Sequence, residues 1–457
     1  MRCAWFAQLE PLLPPLREIE RDRPTSRDSK MQEFSQLWIK SVRRSLPSET
    51  RSRNITVFAP NDLGERTLVC RYIRAQQPPA KLRSERQLLR FVSLLPHLDD
   101  AALGLQLDVW ATSRSFLELS AGDEEEHAIL LCNFFLVGCL LYSIWVAWSL
   151  SHKYSPTPGC WYGDNPGAHN PGVPCHLAPP PHPLSCGIDS AHPWSGCWQA
   201  MGKQAYVLLG HGIPEGETSY VATRDSASQM SLWNAQSGQV YKSDDPACPL
   251  TSVGCVFNDL NVWANIQPYE KADELNWDFD DPKCWRPFFG VRGFEFPSAL
   301  QSVQEERLQF KYTTDEYRSN VEREVEDRLQ REFEHLRGHR VTDWNRSAGN
   351  KLKPLLRRYE EDASGEKPLS EAEHNIALER IRQTYHLVGF PINETYTDMR
   401  PLIDKLRATN IHLSDGPKMQ FALAVYVHAY PNNVCSVWFY IASLEDLRAG
   451  GGCSSFE

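Results

Sequence analysis

The run AILLCNFFLVGCLLYSIWVAWSL, residues 128–150, is the stretch on which the fold turns. Its 23 residues hold no charge, and Asn133, Ser143 and Ser149 are the clear polar interruptions. At 1.5 Å per residue such a run crosses a hydrocarbon core of roughly 30 Å, so hydropathy alone expects a membrane span. The next segment, residues 151–199, has a different character. It holds ten Pro and six Gly in 49 residues, with Lys153, Asp164 and Asp189 as its charges. That composition is expected to lack a packed core. It also carries Cys160, Cys175, Cys186 and Cys197, with His152, His169, His176, His182 and His192. No Cys or His pair is matched by a second pair at finger-like distance, so no zinc site is expected.

Composition bounds the rest. The chain has 457 residues, 41% hydrophobic and 23% charged, which is globular and long enough for two or three domains. A net charge of −10 without a long Lys/Arg block argues against a nucleic-acid face, where phosphate neutralisation dominates affinity. Thirteen cysteines are too sparse for a disulfide scaffold, and no charged, cleavable leader opens the sequence. A reducing, cytoplasmic setting is therefore expected. Without a leader, the acceptor-like triplets at Asn54, Asn345 and Asn393 count as chance matches.

Outward from the apolar run, the pattern alternates between helix and strand. Phe34, Leu37, Trp38 and Val42 predict a helix over 31–46. NITVFA (54–59) and RTLVCRYI (66–73) read as two strands around a turn, and 84–96 and 114–136 as helices. From Ala205 to Tyr269 the chain reads as β: AYVLLGHGI, TSYVATRD, MSLWNAQSGQVYK and NVWANIQPY. The acids Asp244 and Asp245, before Pro246, read as a turn. Beyond Pro297, Thr314 caps a charged helix with a stripe of Val321, Val325, Leu329, Phe333 and Leu336. FALAVYVHA (421–429) and VCSVWFYIAS (434–443) flank a turn and read as an antiparallel pair. Both parities of this pair are apolar, so helices are expected on each side, with 315–338 and 398–408 as candidates.

Several segments together carry a resemblance: AGDEEEHAILLCNFFL (121–136), GKQAYVLLGHGIPEGETSYV (202–221), CPLTSVGC (248–255), HRVTDWNR (339–346) and FALAVYVHAYPNNVCSVWFYIASL (421–444). They resemble the C-terminal part of the coiled-coil and C2 domain-containing protein 2 family, with 2A favoured and its paralogue 2B open. The coiled coil and C2 domain that precede this region in the family are not recognised here. In the family, a helix like HAILLCNFFL leads almost directly to a strand like GKQAYVLLG. Residues 137–199 are therefore expected to be an insertion, disordered or left by a retained intron, and the apparent span to be a domain helix fused to its start. A single-pass membrane protein anchored by 128–150 is the competing reading.

The resemblance also implies a fold and a chemistry. The expected class is α+β, with a degenerate transglutaminase-like (papain-like cysteine peptidase) domain over 87–136 and 201–297. An unassigned segment (1–30), a helix and strand pair (31–86), the insertion (137–200) and a C-terminal α/β module (298–457) complete the chain. An active member needs a thiolate at a helix start, an imidazole on a following strand, and a carboxylate or amide to orient the imidazole. The matching positions here fall near Glu124, Ser219 and Asn234, placed to within a residue or two, so no catalytic residue is expected. Cys132 reads as a core thiol, and His127, beside three acids, as a surface residue. No cofactor or metal is expected. The resemblance implies a non-catalytic scaffold of the ciliary transition zone, supporting cilium assembly and gating with tectonic and other transition-zone proteins. It implies a location at the transition zone or basal body and membrane association only through partners. An active thiol peptidase or transglutaminase is the alternative.

Overall fold

The computed structural model describes residues 26–50, 52–100, 108–137, 204–224, 229–290, 301–416 and 418–447. These belong to one compact unit, Met1–Val137 with Lys203–Glu457. It begins with α1 (Ser26–Ser45), which buries Met31, Trp38 and Val42 and places Trp38 edge-on to Phe288, with ring centroids 5.4 Å apart. The strand pair that follows is shorter than its β-branched sequence predicts. Only β1 (Phe58–Pro60) and β2 (Arg66–Leu68) pair, antiparallel, and Val69–Tyr72 turn into a 3-10 helix. All four of those residues are buried, so the alternation that an open strand face requires is missing. The turn is held by Asn61, whose Oδ1 accepts from the backbone of Leu63 and Glu65.

Next come α2 (Glu85–Ser93), closed by a capping box of Ser84 and Gln87, and α3 (Ser113–Leu119). The single helix expected over 114–136 is in fact two. Ser120 takes a left-handed conformation that stops α3, and a Cβ on Gly122 would lie 2.7 Å from Phe116. A new helix, α4 (124–137), then starts behind Asp123. Asp123 Oδ1 accepts from the backbone N–H groups of Glu125 and Glu126, while Glu126 Oε2 accepts from Asp123 N. This reciprocal pair is a second capping box, and it accounts for two of the acids in GDEEE.

The described half of the apolar run, 128–137, is consumed by the core. Ala128 through Cys132 are at most 1% exposed, and Phe135 packs edge-on to Trp233 at 5.0 Å. Asn133, a polar interruption in hydropathy terms, is fully buried and bonded. Its Nδ2 donates to Tyr72 O and Gln76 Oε1, and its Oδ1 accepts from Arg74 N. Residues 138–150, the rest of the expected span, and the Cys/His-rich segment lie outside the described residues. Among the described residues no helix is long and apolar enough to cross a membrane.

Against α4 lies a seven-stranded, fully antiparallel sheet of order β6-β5-β4-β3-β7-β8-β9. Its strands are β3 (Gln204–Gly212), β4 (Gly216–Arg224), β5 (Met230–Asn234), β6 (Gln239–Lys242), β7 (Leu250–Phe257), β8 (Val262–Asn265) and β9 (Trp285–Pro287). The face away from α4 is covered by residues 272–285, with Tyr206, Phe279 and Trp285 at its centre.

The C-terminal part contains α5 (Asp315–Arg337), α6 (Arg346–Ala363), α7 (Glu371–Arg382), β10 (Tyr385–Thr395), α8 (Met399–Ala408), β11 (Gln420–Ala429) and β12 (Cys435–Asp446). The sheet order is β10-β12-β11, and all pairs are antiparallel. The label α/β, which implies parallel strands, is therefore corrected to α+β for this part too. The two parities read from the sequence do face two helix layers, but the layers differ from those expected. Both candidate helices lie on one face, where Val325, Leu329 and Phe333 of α5 and Leu402 and Leu406 of α8 meet Val425 and Phe439. The other face is covered by α6 and α7 through Leu352, Leu355, Leu356, Leu378 and Ile381. Their sequences hide this: α6 carries Pro354 and interleaved cations, and α7 buries only two apolar residues. Leu336 does not complete the α5 stripe. Arg337 is the buried residue there, donating to His412 O and Ser414 O with its guanidinium 4.2 Å from the Phe421 ring centroid.

Candidate functional site

Acids occupy the start of α4, the position expected from the sequence for a peptidase-type nucleophile. Glu125, 7% exposed, turns toward the sheet, and Ser219 on β4 donates to its Oε1 at 3.2 Å. Glu124 faces a pocket that Glu125 also lines, with Oε2 3.9 Å from His97 Nδ1. The structure thus joins Ser219 to Glu125, one residue beyond the position read from the sequence. Asn234 is not part of this meeting. The register Val221↔Trp233 sets Asn234 opposite Tyr220, and the two-residue period puts that pair on the sheet face away from Ser219. Asn234 Oδ1 there accepts from Gln236 N and Ser237 N and shapes the β5–β6 turn.

The other sequence candidates fall into structural roles. Cys132 is fully buried, and desolvation drives its thiol far above the usual cysteine range. His127 is not a surface residue. It is fully buried against the Phe116 ring at 4.8 Å, with Nδ1 2.5 Å from Asp123 O and Nε2 2.9 Å from Leu95 O. Helical periodicity turns it inward although its sequence neighbours are acids. His211 is exposed near the end of β3, and Asp244 and Asp245 sit in a turn as expected.

What sequence reading missed is the pocket itself. About 410 Å³ in volume, it is lined by His97, Asp99, Asp100, Asp108, Asp123, Glu124, Glu125, Glu215, Glu217 and Gln236. The acids come from four separate places, Asp99-Asp100, Asp108, GDEEE and the β3–β4 turn PEGE, and only the fold brings them together. Burial first, and then the charge of Asp123, push Asp108 up to about 6. Burial, with Asp123, Asp108 and Asp99 nearby, pushes Glu124 up to about 7. Glu125 and Glu126 are raised well above the ordinary carboxylate range for the same leading reason. Carboxylate oxygens of Asp100, Asp108 and Asp123 lie within 4.8 Å of one another, a set of hard oxygen donors that could accept a divalent cation. The described lining contains carboxylates, one imidazole and an amide, and no thiol.

Residues 108–157 and 194–288 match the family described as CEP76 peptidase-like domain, and residues 314–444 match the Centrosomal protein of 76 kDa C-terminal domain. Protein CC2D2B of Homo sapiens is 31% identical over 422 residues, covering 90% of this chain and 24% of that protein. The chain is similar to the coiled-coil and C2 domain-containing 2 proteins. Coiled-coil and C2 domain-containing protein 2A of Drosophila melanogaster is 28% identical over 250 residues, or 54% of this chain and 18% of that protein. Centrosomal protein of 76 kDa from Homo sapiens is 24% identical over 434 residues, or 93% of this chain and 58% of that protein. The chain thus spans about a quarter of the length of the human CC2D2B relative. The two matched families also fall on the two larger sheets, the peptidase-like match on the seven-stranded one and the C-terminal match on the three-stranded one.

Proposed function

We propose that this chain is a non-catalytic scaffold of the ciliary transition zone, built on a peptidase-like domain of transglutaminase type that has lost its chemistry. The observation that carries the reading is the start of α4, where Glu125 and Ser219 pair in the place of a thiol and an imidazole. A buried carboxylate paired with a serine hydroxyl does not supply the thiolate that acyl transfer by a cysteine peptidase needs, and Cys132 is about two helical turns further in, sealed in the core. Like the relatives whose names carry the centrosome or the coiled-coil and C2 domains, the chain would act by binding. It would work with tectonic and other transition-zone proteins in the cytoplasm at the basal body and reach the membrane through them. In that role it supports cilium assembly and controls which proteins enter the cilium.

The test combines chemistry and cells. Incubating the folded protein with an iodoacetamide probe is expected to leave Cys132 unlabelled, and Cys132→Ser to change the melting temperature while restoring cilia as well as wild type does. Stoichiometric labelling of Cys132, or a failure of rescue at unchanged melting temperature, would falsify the non-catalytic reading. Tagged protein that stays away from a transition-zone marker would overturn the assignment of place.

A further inference from the structure

Two neighbouring cavities share one lining residue. The acidic pocket meets a second groove of about 390 Å³ at Asp100, which lines both. This second groove is mainly apolar, its walls including Pro60, Leu98, Val109, Phe116 and Leu119. Leu119, on the rim of this groove, is 62% exposed. Among the described residues, the acidic pocket sets eight carboxylates against the imidazole of His97, and neither Lys nor Arg lines either cavity. On its wall, Glu215 Oε2 is shielded from solvent and has no hydrogen-bond partner among the described residues.

We propose that the two adjacent grooves together dock an extended protein segment that carries a lysine or arginine next to a large apolar residue. The apolar side chain fills the groove beside Leu119 and Phe116, and the cationic one enters the acidic pocket past Asp100. Charge complementarity selects this occupant. A guanidinium or ammonium offers several donors to carboxylates that now repel one another, and displaces their pKa values back toward the ordinary range. The adjoining apolar walls give a bare cation nothing to bind, whereas neighbouring side chains of one segment reach both cavities. The inference rests on the non-catalytic reading, since a working peptidase would cleave what it holds here.

The experiment uses the full chain and a fluorescein-labelled peptide, Ala-Leu-Arg-Ala-Leu-Lys, followed by anisotropy at 150 mM salt, where long-range attraction is screened. Control peptides replace Arg and Lys by Gln, or Leu by Ser. Saturable binding of the first peptide is expected, weakened at least fivefold by either change. Asp99→Asn with Glu217→Gln, both exposed, is expected to weaken the basic peptide at least fivefold. Leu119→Ser is expected to weaken the Leu peptide and leave the Ser peptide unaffected. Asp327→Asn with Glu371→Gln, remote exposed acids, should change nothing. Equal weakening by the remote pair, no saturable binding, or saturable calcium binding without peptide binding would each overturn the proposal. Cleavage of the peptide would instead overturn the non-catalytic reading, so the two failures are distinguishable.

Discussion

At the scale of single residues, Glu124 shows how a fold can hold a carboxylate against its preference. Its pKa rises from the ordinary 4.5 to about 7, first through burial and then through its acidic neighbours. The folded state therefore keeps a proton that the unfolded chain releases. The stability linked to this proton is complete below pH 4.5 and is lost as the pH rises to about 7. Glu124→Gln keeps the shape and removes the titration. The variant is expected to be more stable than wild type at pH 8 by on the order of 1–2 kcal/mol, with the two converging near pH 4. Urea unfolding at a series of pH values measures this, and parallel curves across the range would remove the electrostatic account. The residue also marks the reach of sequence reading. Position 124 was legible as lacking a thiol, but that its neighbour Glu125, and not Glu124 itself, faces Ser219 depends on helix phase set by Asp123.

At the scale of elements, the C-terminal sheet shows what periodicity can and cannot convey. Alternation along 421–429 and 435–443 assigns Val425, Val427, Val437 and Phe439 to one face and Tyr440 to the other, as found. Which helices cover the faces is not written in the strands. Phe439 is fully buried between α5 and α8, so Phe439→Asp would bury an unpaired charge among aliphatic groups. It is expected to destabilise the protein by several kcal/mol, read as a large fall in melting temperature by circular dichroism. An unchanged melting curve would show that this core is misplaced. The opposite face is tighter still: a Cβ on Gly349 of α6 would lie 2.5 Å from Leu423 O of β11. Gly349→Ala is expected to push helix from sheet at a cost of about 1–3 kcal/mol, despite the better helix propensity of alanine. A variant as stable as wild type would mean that helix propensity outweighs the close approach.

At the scale of the whole molecule, one buried ion pair joins the peptidase-like part to the C-terminal part. Arg90 of α2 forks onto Glu360 of α6, 270 residues away, with Nε and Nη2 at 3.1 and 2.8 Å. Tyr430, Ser436 and Trp438 all donate to the same carboxylate. Burial alone would raise Glu360, yet Arg90, then Ser436 and Trp438, bring it below the ordinary carboxylate range. Here the sign is opposite to that of Glu124: the contribution is present above pH 4.5 and is lost as the pH falls through the lowered value. Arg90→Ala leaves Glu360 only 2% exposed and without its counter-charge. A loss of about 3–5 kcal/mol at pH 7 is expected, shrinking in acid as Glu360 takes up a proton. For the same reason residues 298–457 expressed alone should melt below the full chain. A fragment as stable as the whole, or a small and pH-independent effect of Arg90→Ala, would show that the two parts do not depend on this contact.

The sequence by itself determined the mixed helix and strand class, the parity of the last two strands, the acids in place of a cysteine at 123–126 and the resemblance to the relatives. Each of these is a local property: a hydrophobic period, a residue type at one position, or a motif short enough to survive as contiguous text. Tertiary structure alone decided that the acids at 99–100, 108, 123–125 and 215–217 converge on one pocket, that His127 is buried, and that Arg90 finds Glu360. Those outcomes depend on which loops a seven-stranded sheet brings to one edge and on which face each helix turns inward. A charge written in the sequence looks solvated until the fold supplies, or withholds, its partner.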